Sequence, residues 1–398
     1  MKRTRTRCDA GLSLIELLVA MAIGLVLTLA ITSVLIRSES SKRSSTSVND
    51  INQSGAYAAY VLDRVIRSSG SGFSQNWGTT YGCLLNVSNG GTSVLPLPAA
   101  IPASSAFSNV TATPILPIRL VPLIIAKDRA DTTSPAETRG DVLIVMAGTA
   151  GVGESPQTVL PASVTPTQLS LPTGLGYVTD DLILLADNGV PAGCAVDQVG
   201  ASHAATDAGQ VLPLAGTYHR DNSAYGADTL ALQLGRSTTN PPEFKLYGVG
   251  PNSTLVSYDL LKPTPADAQI SDGIVEMRAL YGLDTTGDGK LDSWVDASGA
   301  YVDTLLTDGS AASQVKLRQI IAVRIGLILR TTLKEKAKAT DANAVVNVEG
   351  VDSSNADSRT IFGGADVSAF KRVRPDEAGY RFRTVESIIP LRNVLLAQ

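Results

Sequence analysis

The chain has 398 residues, 44% of them hydrophobic and only 5% aromatic, with a net charge of −4. That is enough apolar material for a sizeable core, and one large β-rich domain could absorb the whole length. The charge is uneven: Lys2, Arg3, Arg5 and Arg7 against Asp9 give the first eleven residues +3, and losing them would leave the body at −7. An acidic body has no electrostatic footprint for nucleic acid, so no nucleic-acid partner is expected.

Residues 12–36, LSLIELLVAMAIGLVLTLAITSVLI, contain one charged residue among 25. A helix of that length reaches about 37 Å, enough for a hydrocarbon core of about 30 Å. Basic residues precede it and Arg37 follows. The positive-inside rule therefore holds the N-terminus in the cytoplasm and sends the rest across the membrane. The run is too long for an ordinary secretory signal and no A-x-A-type site follows it. Glu16 is the anomaly, a carboxylate five residues into the apolar run. It calls for a partner or a function, unless it lies close enough to the interface to reach water.

The string Gly11-Leu12-Ser13-Leu14-Ile15-Glu16 resembles the type IV prepilin motif. The resemblance implies that a prepilin peptidase cuts between Gly11 and Leu12, removing a leader of residues 1–11. It also implies that Leu12 is then N-methylated, and that Glu16 faces the Leu12 amine of its own chain or a neighbour's during assembly. A buried carboxylate is tolerable when it meets such a cation. Leu12 stands where Phe is commoner, and Ala10 where a basic residue is usual.

Residues 37–50 are Ser-rich and charged, and their low helix propensity predicts a stretch that frays. The helical period returns over 51–67, with Ile51, Ala58, Leu62, Val65 and Ile66 on one face, and Gly70 and Gly72 end it. A helix from 12 to about 68 would run on the order of 85 Å. Its first part would be a membrane span (12–36) and its second an amphipathic continuation (37–70). From 71 to 398 the chain reads as a β-rich head. Strands are expected at Asp141–Ala147, Asp181–Ala186, Phe244–Val249, Thr254–Leu261 and Ile274–Tyr281, at 323–330 and within Tyr380–Asn393. Long Pro/Ser/Thr/Gly-rich loops are expected at 84–135, 149–174 and 335–366. The fold class is α+β, a long N-terminal helix packed on a β-rich head.

Of three cysteines, Cys8 lies in the basic leader, which leaves Cys83 and Cys194. In an exported chain these two form a disulfide or remain two buried thiols. Residues 284–296, DTTGDGKLDSWVD, place Asp284, Thr286, Asp288 and Asp292 at the first, third, fifth and ninth positions of a calcium loop. Gly289 is at the sixth position and Lys290 would offer its carbonyl at the seventh. Val295 takes the twelfth place, with Asp296 one residue on. Two readings follow: a calcium site of modest affinity, or a metal-free Asp/Gly turn joining strands at Tyr281 and Trp294.

A second resemblance lies in the body. Residues 54–83, the string Tyr281-Gly282-Leu283-Asp284, the strand at 320–330 and the segment Tyr380–Asn393 closing in Leu391-Arg392-Asn393 are similar, in that order, to the PilW family of minor pilins. This implies a part in type IV pilus assembly at the initiating or tip complex, with twitching and adhesion as outcomes. The implied partners are other minor pilins, the major pilin, the prepilin peptidase, the inner-membrane assembly platform and a tip adhesin. The implied location is the inner membrane before assembly and the pilus after it. A type II secretion pseudopilin shares the leader and helix, and a surface-binding module carried on the pilus is the alternative of another kind. No P-loop, G-x-S-x-G, G-x-G-x-x-G, HExxH or CxxC motif is present. His203 and His219 fall in polar, loop-like sequence and are expected at the surface. No enzyme is expected.

Overall fold

The computed structural model describes residues 13–96, 101–112, 117–130, 140–150, 156–161, 163–187, 193–201, 203, 210–333, 358–362, 369–372 and 380–397. The chain falls into two compact units, Met1–Asp50 and Ile51–Gln398. Helix α1 (Leu14–Ser68) belongs to both.

In the first unit the leucines, isoleucines and valines from Leu14 to Ile36 are all exposed, and the helix is long and apolar enough to cross a membrane. Its hydroxyls are satisfied internally, as a lipid environment requires. Thr28 Oγ1 donates to the Leu25 carbonyl (2.9 Å), Thr32 Oγ1 to Thr28 (2.8 Å) and Ser33 Oγ to Ala30 (2.7 Å). The expected fraying of 37–50 is not found: α1 is continuous there. Glu39 and Arg43 form an i,i+4 pair at 3.1 Å, with the acid on the N-terminal side, the favourable order.

In the second unit α1 carries the expected apolar face. Ile51, Ala58, Leu62, Val65 and Ile66 are all buried. Gly55 lets the helix approach the sheet closely, since a Cβ there would stand 2.8 Å from Leu329 Cδ2 and 3.3 Å from Val385 Cγ2. Gly70, at φ 77°, turns the chain out of the helix, and its N–H donates to the Met146 carbonyl at 2.8 Å. The carbonyls of Ser68 and Ser69 at the helix end both accept from Asn393 Nδ2, at 3.1 and 3.0 Å.

The head has three main sheets. One runs in the order β2 (Thr92–Leu95), β1 (Leu85–Asn89), β8 (Cys194–Gln198), β7 (Asp181–Ala186), β10 (Leu230–Arg236), β5 (Gln157–Thr158), with β1 and β8 parallel. A second runs β13 (Ala268–Asp272), β12 (Thr254–Asp259), β11 (Glu243–Gly250), β4 (Val142–Ala147), β3 (Leu123–Ala126). The third runs β15 (Ser293–Val295), β14 (Ile274–Leu283), β16 (Ile320–Arg330), β19 (Phe382–Pro390). Two hairpins, β6 (Gln168–Ser170) with β9 (Val211–Pro213) and β17 (Ser358–Ile361) with β18 (Ala369–Arg372), complete the strands. Short helices α2 (Trp77–Thr80), α3 (Ser108–Ala112), α4 (Asp303–Leu306), α5 (Ala311–Gln319) and α6 (Arg392–Leu395) fill the connections.

The strand period of two divides the six-stranded sheet between two cores. Leu182, Leu184, Cys194, Val196, Leu232 and Leu234 face the main core with α1. Ile183, Leu185, Ala195 and Ala231 face a smaller second core with Leu169 of β6 and Leu212 of β9. Two loop expectations are corrected. The 84–135 stretch contains β1, β2, α3 and β3, and 149–174 contains β5 and β6. Their Ser, Thr and Pro residues conceal short strands whose inward positions are Leu85, Val87, Leu95 and Leu169. Of 335–366, only 358–362 are described.

Candidate functional site

The N-terminal motif carries helix-start chemistry. Glu16 N–H donates to Ser13 Oγ and Ser13 N–H donates to Glu16 Oε2, both at 3.2 Å. This reciprocal pair is a capping box, with Ser13 at the cap and Glu16 three residues on. Leu17 N–H then donates to the Ser13 carbonyl, beginning the helical ladder. The carboxylate thus sits at the positive end of the helix macrodipole, which lowers the cost of carrying it into an apolar segment. Gly11 and Leu12, expected to flank the cleavage, lie outside the described residues.

Cys83 and Cys194 are joined in a disulfide, with Cα atoms 5.7 Å apart across 111 positions. The bond ties the segment leading into β1 to the first residue of β8, its parallel neighbour, where Leu85 pairs with Cys194.

The acidic loop closes the β14–β15 hairpin, with Tyr281 opposite Val295 and Gly282 opposite Trp294. Asp284 Oδ1 accepts from the N–H of Thr286 (3.2 Å) and Gly287 (2.6 Å), and Oδ2 from that of Gly289 (2.7 Å). Burial pushes the Asp284 carboxyl up, but the N–H groups of Gly289, Gly287 and Asp288 outweigh it and hold it below its ordinary range. Asp292 is lowered too, chiefly by the Thr285 hydroxyl and N–H, which both donate to Oδ2 at 2.7 Å. Asp288 pairs with Lys290 at 3.2 Å. Asp296 pairs with Lys127, away from the other carboxylates. Among the described residues no three His, Cys, Asp or Glu side chains converge as a metal-holding group.

Both histidines depart from the expected surface positions. His203 is buried, its Nε2 3.0 Å from the Gly174 carbonyl. His219 is three-quarters covered and lies 3.1 Å from the fully buried Asp197. Nothing in the local sequence signals this, because the covering residues come from other elements. The same holds for a buried charge cluster. Arg278 on β14 meets Asp141 (3.1 Å), Glu276 (2.8 Å) and Asp128. Asp141 Oδ2 also accepts from Ala279 N–H at 2.9 Å. Burial pushes the Asp141 carboxyl up to about 6, in spite of Arg278. On either side of Asp128, Lys127 holds Asp296 and Arg129 holds Asp303 at 3.2 Å. Three consecutive side chains thus clamp the end of β3 to β14, α4 and the segment after β15.

Residues 6–32 match the family model for the prokaryotic N-terminal methylation motif. With the capped, exposed apolar helix and the β-rich head, this match fits the class of membrane-anchored, type IV pilin-like proteins. Residues 248–393, from β11 to the residue that caps α1, match the model for type IV pilus-assembly protein W. Over these two stretches the chain is similar to PilW-type pilins, and the two matches together support a minor pilin's role in type IV pilus assembly. Neither a curated protein nor a solved structure matches it. The two matched families are structural rather than enzymatic.

Proposed function

We propose that the protein acts at the initiating or tip complex of a type IV pilus, after cleavage between Gly11 and Leu12 and methylation of Leu12. The observation that carries this reading is the union, in one chain, of a capped apolar helix and a head built from three unlike sheets. Head-to-tail contacts that do not close produce filaments, and an exposed apolar helix supplies such a contact. A shaft repeats one contact many times, whereas a large head with irregular connections suits a position occupied once. The subunit would wait in the inner membrane with its head outside the cytoplasm. There it would meet the prepilin peptidase, the assembly platform and other pilins. Glu16 would exchange its Ser13 N–H partner for a Leu12 amine on joining the filament, a charge-assisted contact that fixes register in a low-dielectric layer. No catalytic role forms part of this reading.

Intact-mass analysis and N-terminal sequencing of the protein from native membranes test the processing step. A chain beginning at methylated Leu12, and a Gly11→Val variant that retains residues 1–11, are expected. A native chain still carrying residues 1–11 would end the proposal. Gold labelling of an epitope on the head tests its place. Label at filament ends is expected, and label along the shaft would refute the terminal position.

A further inference from the structure

The connection between β9 and β10, residues 214–229, alternates exposed and covered positions, and between its buried ends, Leu214 and Thr229, it is anchored inward by Asn222 (0% exposed) and Tyr225 (5%). Tyr225 OH donates to the Gly193 carbonyl at 3.0 Å. Asn222 reaches Asp197, which is also 0% exposed. Asp197 stands on the second-core face of β8, on the same parity as Ala195, so its carboxylate is roofed by this loop.

Around Asp197, Gln198 N–H donates to Oδ1 at 2.6 Å. His219 Nδ1 lies 3.1 Å from Oδ1 and 3.3 Å from Oδ2, and the Asn222 Nδ2 donates to Oδ2. Gln198 N–H and Asn222 Nδ2 donate, and His219 Nδ1 does so in its Nδ1–H tautomer, the arrangement an ionised carboxylate accepts. The other end of the same amide, Asn222 Oδ1, is buried and finds no donor among the described residues. A buried carbonyl oxygen left without a donor costs on the order of 1–3 kcal/mol. A half-turn of the amide exchanges Oδ1 and Nδ2 and brings that oxygen to Asp197, where only a protonated carboxyl could satisfy it.

We propose that Asp197 and Asn222 form an acid-operated latch, in which the protonated carboxyl donates to Asn222 Oδ1 and fastens the 214–229 loop over the second core. The charged and titratable groups facing Asp197 come from that loop. They are His219 and the main-chain N–H of Arg220, with Asp221 against both residues. From its own sheet β7 presents Ile183 opposite, and β1 ends in apolar register with Val87 opposite Val196. Burial, first, holds the carboxyl up to about 6, against the pull of Gln198 N–H and His219. The sign follows: a carboxyl raised in the closed state contributes stability that is full below its ordinary value of 3.8 and is lost as pH rises through about 6. The loop is therefore held more tightly in acid. Nothing in this argument depends on the chain's place in the pilus.

Hydrogen exchange of the full-length protein in detergent micelles, read on peptides covering 214–229 and corrected for intrinsic rate, tests it. The opening constant is expected to be about tenfold smaller at pH 5 than at pH 7.5. Asp197→Asn, which keeps an amide donor for Asn222 Oδ1, should flatten that dependence. Asn222→Ala should shift its midpoint downward, because the protonated form loses its acceptor. His219→Gln, which removes one pull that lowers the carboxyl, should keep the dependence and move its midpoint upward. An opening constant that is flat or rises in acid would overturn the latch, as would an unchanged dependence in both Asp197→Asn and Asn222→Ala. Loss of the dependence in His219→Gln alone would assign the response to the imidazole instead.

Discussion

Replacing Arg278 with Met tests the buried charge cluster, because it removes the single cation that three carboxylates share. Asp141 and Glu276 are 2% and 3% exposed, so neither can turn to water. Breaking a buried pair from one side costs about 3–5 kcal/mol, since a charge is left without its partner. For a head of this size unfolding entropy makes that a fall of about 5 °C in Tm. The penalty should depend on pH. Asp141 sits at about 6 with Arg278 present, and losing the guanidinium removes the main charge that lowers it. A carboxyl raised in the folded state is least costly where it is protonated and most costly above its folded value. The loss in Tm between wild type and Arg278→Met should therefore be small at pH 5 and full at pH 8. Measured as a difference between two proteins at each pH, it is independent of titrating groups that do not meet Arg278. An equal loss at both pH values, or a loss under about 1 kcal/mol at pH 8, would refute the view that unpaired buried charge carries the effect.

Cys83→Ser should cost about 5 kcal/mol if the bond acts by restricting the unfolded chain across 111 positions. A denaturant midpoint that reduction leaves unchanged in the wild type would contradict this. Glu16→Ala should leave the subunit in the membrane and lower filament number, and undisturbed piliation would remove the register role. Calcium titration decides the cation reading of the 284–296 loop. With Asp284 and Asp292 holding N–H groups and Asp296 holding Lys127, no rise in Tm is expected at millimolar calcium. A rise that Asp288→Ala abolishes would establish a site there.

The helix was legible because its signals are local. The apolar run and the face Ile51, Ala58, Leu62, Val65, Ile66 each lie within a few turns. The long central strands were legible for the same reason. The serines of 37–50 misled because propensity was read without the helix on either side. The short strands in 84–135 and 149–174 were hidden because two or three inward residues make no period. The polar clusters were not legible at all. Asp141 and Arg278 lie 137 positions apart, and His219 and Asp197 lie 22 apart on different elements. The sequence offered only Asp141 and Asp181 at the head of apolar runs, acids whose burial depends on what the rest of the chain brings over them.

The amide of Asn393 also says something about the order in which the molecule can be finished. It supplies the donor for the last carbonyls of α1 from 325 positions downstream of Ser68. Synthesis proceeds from the N-terminus, so the anchor helix is made, and can be inserted, long before the residue that completes its far end exists. Until Asn393 arrives, the Ser68 and Ser69 carbonyls lack the amide that donates to them in the finished head. A chain interrupted anywhere before that point keeps the membrane segment but leaves the helix end open, which gives a surveillance protease a physical difference between finished and unfinished subunits.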